Sequence, residues 1–353
     1  MRGGLQTAGI RMTDFILSLP KAELHLHLEG TVDPETLAEL SRRHPTPLTT
    51  TNERYRNIED SGRVFTEEEV RELYRYKHFS GFLWVFKAVT ERLRTAEDYE
   101  LVTYRMMQKL YAQNVHHAEV YVSAGVVLWR GQEFAPLLEG AERGRQRGER
   151  DFGVSLYWIL DATRHFGVEY AQRVAEEAVR LKGRNVVGIG LGGDERRAAP
   201  EQFRDVYEHA AEHGLRLTVH AGETAGPESI WNALRDLKTD RIGHGLRAIE
   251  DPELVRYLAE KHIPVEICIT SNLLTGCCTA VEDHPIRRLF DAGVVVTLNT
   301  DDPDMFHTTL SHEYQIAQQV FNFSQDELRE LAKNSFRASF LPEEKRREML
   351  EEL

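Results

Sequence analysis

Short apolar runs alternate with longer amphipathic segments along most of this chain. Several of the runs, such as residues 294–298, are nearly continuous in apolar side chains, which is typical of parallel strands buried on both faces. The longer segments, for example residues 170–181 and 200–213, place apolar residues three and four positions apart and therefore predict helices. The predicted strands cover residues 22–29, 115–123, 155–163, 186–195, 215–223, 241–246, 264–272 and 294–303.

Eight strands that alternate with helices predict an α/β fold, the (β/α)8 or TIM barrel, with a doubly wound open sheet as the alternative. The chain has 353 residues, of which 41% are hydrophobic, and α/β barrels of this length form one domain. We therefore expect a single domain over residues 14–353. Residues 1–13 precede the first predicted element and are expected to form a disordered extension.

A long segment, residues 45–115, separates the first two predicted strands and is expected to be a helical insertion. An insertion at this point emerges on the catalytic face of a barrel. Within it, residues 79–86 carry aromatic side chains at helical spacing, which indicates either core packing or a lid over a flat apolar ligand. Farther along the chain, the charged stretch 142–151 predicts a solvated helix end or loop.

Charge and cysteine content narrow the classes of partner. The formal net charge of −13 argues against a nucleic-acid or anionic membrane surface. No apolar run is long enough to span a bilayer, and the first 14 residues lack the apolar core of a signal peptide. Cys268, Cys277 and Cys278 match neither a disulfide framework nor a zinc ribbon, so we expect a reduced, cytoplasmic protein that acts on a small molecule.

Two histidines in the first predicted strand begin a candidate metal site. His25 and His27 are two residues apart, so both imidazoles point to the same face of the strand. Polar residues recur at the C-terminal ends of most other predicted strands, and in a barrel these ends meet at one mouth. Among them, His220 and Asp301 complete a set of nitrogen and oxygen ligands that suits one Zn²⁺, with Fe²⁺, Co²⁺ or Mn²⁺ as alternatives.

Further polar residues at the same strand ends are candidates for catalysis. Glu223, three residues after His220, is the best candidate for a proton shuttle, because it lies beside a ligand without needing to bind the metal. His244 is flanked by glycines and is expected to orient the attacking hydroxide or to act as another ligand. The pair Gly192 and Gly193 would let a backbone amide touch a planar ligand, or would simply form a turn.

Six stretches of sequence carry a resemblance to a known family. They are LPKAELHLHLEG at 19–30, GIGLGGDE at 188–195, HAGE at 220–223, RIGHG at 241–245, SNLLTG at 271–276 and LNTDDP at 298–303. With these stretches in family order, the chain resembles the adenosine deaminase family of zinc aminohydrolases, which are amidohydrolase-type TIM barrels. The resemblance extends from about residue 14 to the end of the chain, and the paired signature of the cytidine-type zinc deaminases is absent.

The resemblance implies hydrolytic deamination of a 6-aminopurine nucleoside to the 6-oxo product plus ammonia, with zinc held by the four ligands named above. Glu223 would protonate purine N1 while hydroxide attacks C6, and His244 and Asp301 would position that hydroxide. Asp302 would hydrogen-bond N7, and the amide of Gly193 would meet N3. An aromatic amidine carbon is a poor electrophile. A metal hydroxide provides a stronger nucleophile, and protonation of the ring nitrogen makes the carbon a better electrophile.

One position departs from the animal-type pattern and bears on the substrate. The residue two after the second histidine, usually an aspartate that meets the ribose 5′-hydroxyl, is Glu29 here. Glutamate at this position also occurs in relatives that act on adenine and on 6-aminodeoxyfutalosine, a nucleoside of menaquinone synthesis. The fourth strand ends in Gly-Gly-Asp-Glu, whereas serines are more frequent in the adenine-acting branch, so we favour adenosine or aminodeoxyfutalosine as the substrate.

Three other functions remain as alternatives at this point: an adenine deaminase, another mononuclear-metal barrel hydrolase, and a non-catalytic purine-binding relative. Loss of Glu223 or of a metal ligand would mark the last of these, and none is lost. The sequence gives no indication of the oligomeric state.

Overall fold

The computed structural model describes residues 14–45, 64–76 and 79–353, so the predicted extension 1–13 and part of the predicted insertion lie outside the described residues. Within these residues, eight parallel strands pair in chain order, each with the next. The strands are β1 Lys21–His27, β2 Val115–Val122, β3 Ser155–Thr163, β4 Val186–Gly192, β5 Arg216–Ala221, β6 Arg241–His244, β7 Val265–Ile267 and β8 Val296–Leu298.

The end of the sheet meets its beginning and closes the barrel. Leu26 and Asp301 form a parallel bridge. The N–H of His27 donates to the carbonyl of Asp301 at 2.8 Å, and the N–H of Asp301 donates to the carbonyl of His25 at 3.0 Å. The predicted TIM barrel is therefore confirmed, with a strand in each of the eight predicted segments, and the doubly wound alternative is wrong.

Helices surround the barrel and fill the connections between its strands. In the described residues the α-helices are α1 Asp14–Ser18, α2 Pro34–Arg43, α3 Glu67–Tyr74, α4 Phe79–Thr90, α5 Ala96–Tyr111, α6 Ala124–Trp129, α7 Ala135–Phe152, α8 Gly167–Leu181, α9 Arg204–Glu212, α10 Pro227–Asn232, α11 Pro252–Glu260, α12 Ile269–Leu274, α13 Ile286–Asp291, α14 Leu310–Val320, α15 Gln325–Ala338 and α16 Glu343–Glu351. Helix α8 shows the predicted spacing, because Ala171, Val174 and Ala178 are buried on one face. Among the residues described, no helix combines the length and apolar character needed to cross a membrane.

Several strands are shorter than predicted because the backbone turns at their polar ends. The predicted strand at 264–272 is extended only over β7 and then continues as α12, where Ser271 donates to Asp301 Oδ2 at 2.7 Å. Strand β4 ends at Gly192 because Gly193 has a φ of +87°. After β8, Asp301 also has a positive φ, 67°. The polar residues that follow the strands therefore lie in loops and short helices at one end of the barrel.

The described part of the insertion is helical, as predicted, and consists of α3, α4 and α5. In α4, Val85 and Val89 are completely buried in the core. The ring of Phe82 stacks on that of Phe306 with 4.9 Å between centroids. This segment therefore packs as part of the fold, and its predicted role as a lid stays a prediction.

The charged stretch 142–151 forms the C-terminal part of α7, so it is a helix end rather than a loop, and most but not all of its residues are exposed. Glycine lets this helix approach α5 closely, since a Cβ on Gly144 would lie 2.5 Å from the carbonyl oxygen of Glu100. On the same helix Glu142 is buried, and its carboxylate accepts the indole N–H of Trp158 at 2.5 Å. One face of a strongly charged helix is thus part of the interior.

Candidate metal centre and catalytic site

Four side chains at the mouth of the barrel form the predicted metal site. His25 and His27 come from β1, His220 comes from β5, and Asp301 follows β8, and one ligand atom of each lies within 4.8 Å of the others. His220 Nε2 is 3.1 Å from His25 Nε2 and 3.4 Å from His27 Nε2. Asp301 Oδ1 is 3.6 Å and 3.3 Å from the same two atoms. Tetrahedral ligands at zinc–ligand distances of about 2.0–2.1 Å are about 3.4 Å apart, so the four residues fit one ion of this size.

The pKa shifts of three of these four side chains favour the protonation state that binds a metal. Burial lowers the pKa of His27 to about 4 and that of His220 well below its ordinary value, because a desolvated imidazole resists charging. Burial alone would raise the pKa of Asp301, but its hydrogen bond with His25 and the neighbouring imidazoles hold it well below the usual range. Burial would lower the pKa of His25, but Asp301 and Glu266 raise it to about 10, so a metal has to displace that proton.

A chain of buried charges supports His25 from inside the barrel. His25 Nδ1 donates to Glu266 Oε2 at 2.8 Å, which leaves Nε2 facing the other ligands. Glu266 Oε1 accepts from Arg241 Nε at 2.5 Å, and Arg241 also bonds Glu119 Oε2 at 2.5 Å. Sequence reasoning missed this support. The signal available was Glu266 between the apolar residues of a very short strand.

Glu223 lies in the loop after β5, beside the metal cluster. Its side chain is 15% exposed, and Oε2 is 3.8 Å from His244 Nε2. Cys277 donates its thiol to Glu223 Oε1, with 3.6 Å between sulfur and oxygen. Burial raises the pKa of Glu223, so this carboxyl group retains a proton to a higher pH than an exposed glutamate does. The location and the protonation both agree with the predicted proton shuttle.

Glu195, which sequence reasoning left without a role, holds the loop that carries Glu223. Its Oε1 accepts the backbone N–H groups of Glu223 and Thr224, each at 2.8 Å. Its Oε2 accepts the N–H of Gly222 at 2.8 Å and the hydroxyl of Ser229 at 2.6 Å. The carboxylate therefore anchors the loop on both sides of the predicted proton shuttle. The signal was present in the Gly-Gly-Asp-Glu stretch, whose last residue is this glutamate.

His244 lies beside the metal cluster and is oriented by its neighbours. Its Nε2 is 4.0 Å from Asp301 Oδ2, and it adopts a φ of 60° at the end of β6. The Asn272 side chain donates to His244 Nδ1 at 3.1 Å and accepts from His284 Nε2 at 3.1 Å. Nε2 therefore points toward the space between Glu223 and Asp301. This arrangement favours the orienting role over the alternative of a further metal ligand.

The three predicted substrate contacts lie around the same mouth. Asp302 is buried, and burial together with the charge of Asp301 raises its pKa. Glu29 Oε1 accepts the N–H of Ser123 at 3.0 Å. Within the described part of the chain, neither Asp302 Oδ1 nor the buried Glu29 Oε2 has a hydrogen-bond partner. Gly193 has no room for a side chain. The structure thus places two buried carboxyl oxygens without partners near the predicted metal site.

The match to known proteins extends over nearly the whole chain. A family model described as "Adenosine deaminase" matches residues 20–353. The chain belongs to the adenosine deaminase family. It is therefore a hydrolytic deaminase of the amidohydrolase superfamily, as the resemblance implied. This family is metal-dependent, in agreement with the cluster of three histidines and one aspartate.

Individual relatives within the family differ in substrate. The aminodeoxyfutalosine deaminase of Streptomyces avermitilis is 38% identical over 335 residues, which are 94% of this chain and 90% of that protein. The crystal structure of adenine deaminase from Arthrobacter aurescens is 31% identical, with a TM-score of 0.85, and the match covers 95% of this chain and 98% of that one. An amidohydrolase from Burkholderia ambifaria, solved with bound Zn, is 25% identical with a TM-score of 0.82, over 97% and 92% of the two chains.

Proposed function

We propose that this protein catalyses the zinc-dependent hydrolytic deamination of a 6-aminopurine nucleoside, either adenosine or 6-aminodeoxyfutalosine, to the 6-oxo product plus ammonia. The observation that carries the proposal is the position of Glu223, a largely buried carboxyl group with a raised pKa, close to His244 and to the metal cluster. Attack on an aromatic amidine carbon requires a strong nucleophile and a protonated ring nitrogen. A metal site would supply the first, and a protonated acid beside it supplies the second.

The reaction divides among residues on two sides of the purine. When bound, the metal would lower the pKa of a water molecule and so supply a nucleophile near neutral pH. Glu223 donates a proton to ring N1, which withdraws electron density from C6. His244 orients the attacking oxygen, and Asp301 Oδ2, which also accepts the hydroxyl of Ser271, takes the proton of the water. The amino group at the tetrahedral C6 then takes the proton held by Asp301 and leaves as ammonia. The C6 hydroxyl gives its proton to Glu223 and becomes the 6-oxo group, while N1 keeps the proton it received.

Two further groups hold the ring in the orientation this attack needs. The raised pKa of Asp302 keeps its carboxyl group protonated, so it donates a hydrogen bond to N7. The backbone N–H of Gly193 donates to N3. A Cβ at this glycine would lie 2.8 Å from His165 Nδ1, so any larger residue would disturb the wall of the site.

Glu29 and the relative from Streptomyces avermitilis support a nucleoside substrate. The unpartnered Oε2 of Glu29 would accept a hydrogen bond from the sugar side of the nucleoside. Adenine deaminase is the second candidate, because an adenine deaminase structure matches 95% of this chain. We further propose a reducing, cytoplasmic location, since all three cysteines are free. We also propose that the protein has no nucleic-acid or membrane partner.

The test is ammonia release, followed beside the ultraviolet change of the purine, with adenine, adenosine and 6-aminodeoxyfutalosine on protein of known metal content. A preference for either nucleoside supports the proposal, and a preference for aminodeoxyfutalosine assigns the enzyme to menaquinone synthesis. A preference for adenine would replace the proposal by the second candidate. No turnover of any of the three by zinc-loaded protein would contradict both candidates.

A further inference from the structure

Two of the candidate metal ligands differ in what supports the ring nitrogen that faces away from the metal. His25 Nδ1 donates to the carboxylate of Glu266. His220 Nδ1 is buried and has no hydrogen-bond partner among the residues that the structure describes. A metal-binding histidine almost always donates this second N–H to a carboxylate, a backbone carbonyl or water, because the bond fixes its tautomer and orientation. The missing acceptor for His220 therefore requires an explanation.

Asp161, in the second half of β3, is a buried carboxyl group that the proposed reaction does not use. Its Oδ1 is buried without a hydrogen-bond partner, and burial raises its pKa to about 8. The side chain occupies space that is free because Gly190 on the neighbouring strand β4 has none. A Cβ on Gly190 would lie 2.7 Å from Asp161 Oδ1 and 2.7 Å from a ring carbon of Tyr121. The glycine therefore allows Asp161 to point into the barrel.

The next residue on the same face of β4, Gly192, opens the space between Asp161 and His220. A Cβ on Gly192 would lie 3.1 Å from Asp161 Oδ2 and 3.6 to 3.7 Å from Cε1 and Nδ1 of His220. The position that a side chain at residue 192 would occupy thus lies beside both Asp161 Oδ2 and His220 Nδ1. The carboxyl group whose Oδ1 has no partner among the described residues therefore has its other oxygen on the side of the buried, unpartnered imidazole nitrogen.

We propose that Asp161 is a positioning residue for His220, accepting its Nδ1–H, directly or through one water, when the metal site is filled. The bond keeps Nε2 of His220 unprotonated and directed at the metal, as Glu266 does for His25. Two glycines of β4 make the bond possible, Gly190 by admitting the carboxylate and Gly192 by leaving its path to the imidazole open. This inference rests on the metal site of the proposed function.

The test measures zinc affinity by competition with a chelator, without any substrate. Removing such a support typically weakens metal binding by about 10- to 100-fold, so we expect this loss for Asp161→Ala and a smaller loss for Asp161→Asn, which keeps a neutral acceptor. Gly192→Ala should weaken binding in the same direction, because its methyl group separates the pair. The backbone at Gly192 is outside the left-handed region, so alanine is compatible with it. Glu142→Gln, a matched change at a buried carboxyl group on α7, should leave zinc affinity unchanged.

A second measurement separates positioning from general stability. The zinc-loaded protein, labelled with ¹⁵N in histidine, should show a slowly exchanging Nδ1–H of His220 that is lost in Asp161→Ala. Equal zinc affinity in wild type, Asp161→Asn and Gly192→Ala would overturn the inference. A raised KM with unchanged zinc affinity would also overturn it and place Asp161 against the substrate. Failure of the wild-type protein to bind zinc at all would overturn the proposed function first, and this inference with it.

Discussion

Replacing Glu195 with glutamine tests whether the loop anchored by this residue sets the position of the proton shuttle. Each carboxylate oxygen accepts two hydrogen bonds of 2.8 Å or shorter, and Oε1 also accepts longer ones from the N–H of Ala225 at 3.3 Å and the hydroxyl of Thr224 at 3.5 Å. Whichever oxygen becomes the amide NH2 therefore faces at least two donors. Hydrogen bonds to a charged group contribute about 1.5–3 kcal/mol each, which makes the local loss about 3–6 kcal/mol before the loop relaxes. Relaxation moves Glu223, and a displacement of 1 Å at a catalytic group costs about 100-fold in rate. We therefore expect turnover to fall about 100-fold.

The assay is kcat for the preferred purine, together with zinc content and thermal unfolding of the same preparation. Zinc content should stay at the wild-type level, because His220 is held by the pairing of β5 with its neighbours rather than by the loop. Glu201→Gln is the matched control, since this exposed carboxylate bonds only the side-chain amide of Asn232 among the described residues. Wild-type kcat in Glu195→Gln would refute the reasoning. Loss of zinc would show that Glu195 supports the metal site instead.

Three further predictions concern the reacting groups. Glu223→Gln should keep its zinc and lose about 10²- to 10⁴-fold in kcat, the range for removal of a general acid, and full activity would exclude the shuttle role. Burial raises the pKa of Glu223, and the proposed reaction needs the proton of this group. We therefore expect kcat/KM to decline as the pH rises through that pKa. The same alkaline decline in Glu223→Gln would contradict this assignment. His220→Ala should lose bound zinc, measured by metal analysis after dialysis, and an unchanged zinc content would rule it out as a ligand.

The barrel and the metal ligands were predictable because both depend on local periodicity. Strands with a period of two put His25 and His27 on one face, and parallel strands in a barrel end at one mouth. His220 lies near the end of a strand of the same kind and Asp301 follows another, so their convergence required no knowledge of side-chain packing. The exact strand ends were less predictable, because positive φ angles such as that of Asp301 depend on bonds to other segments.

The supporting carboxylates were not predictable, because each acts on a segment distant in the sequence. Glu195 bonds a loop 27 to 34 residues away, and Glu266 bonds His25 across 241 residues. Asp161 is the single charged residue of β3, and only the glycines of the neighbouring strand show which group it faces. The charged helix α7 was also hard to predict from the sequence. Its composition indicates an exposed helix, but a close contact with α5 at a glycine buries one of its faces.

The pKa values of two neighbouring carboxyl groups in this site are shifted in opposite directions, and their surroundings explain why. Asp301 lies among imidazoles and accepts the hydroxyl of Ser271, so its pKa is held well below the usual range. Asp302, the next residue, packs against Gly30 with Oδ1 unpartnered, and burial with the adjacent charge raises its pKa. Groups whose surroundings push their pKa values apart divide into base and acid. In the proposed reaction, Asp301 therefore binds the metal and accepts a proton, whereas Asp302 donates a hydrogen bond, although the sequence presents the two aspartates as equivalent.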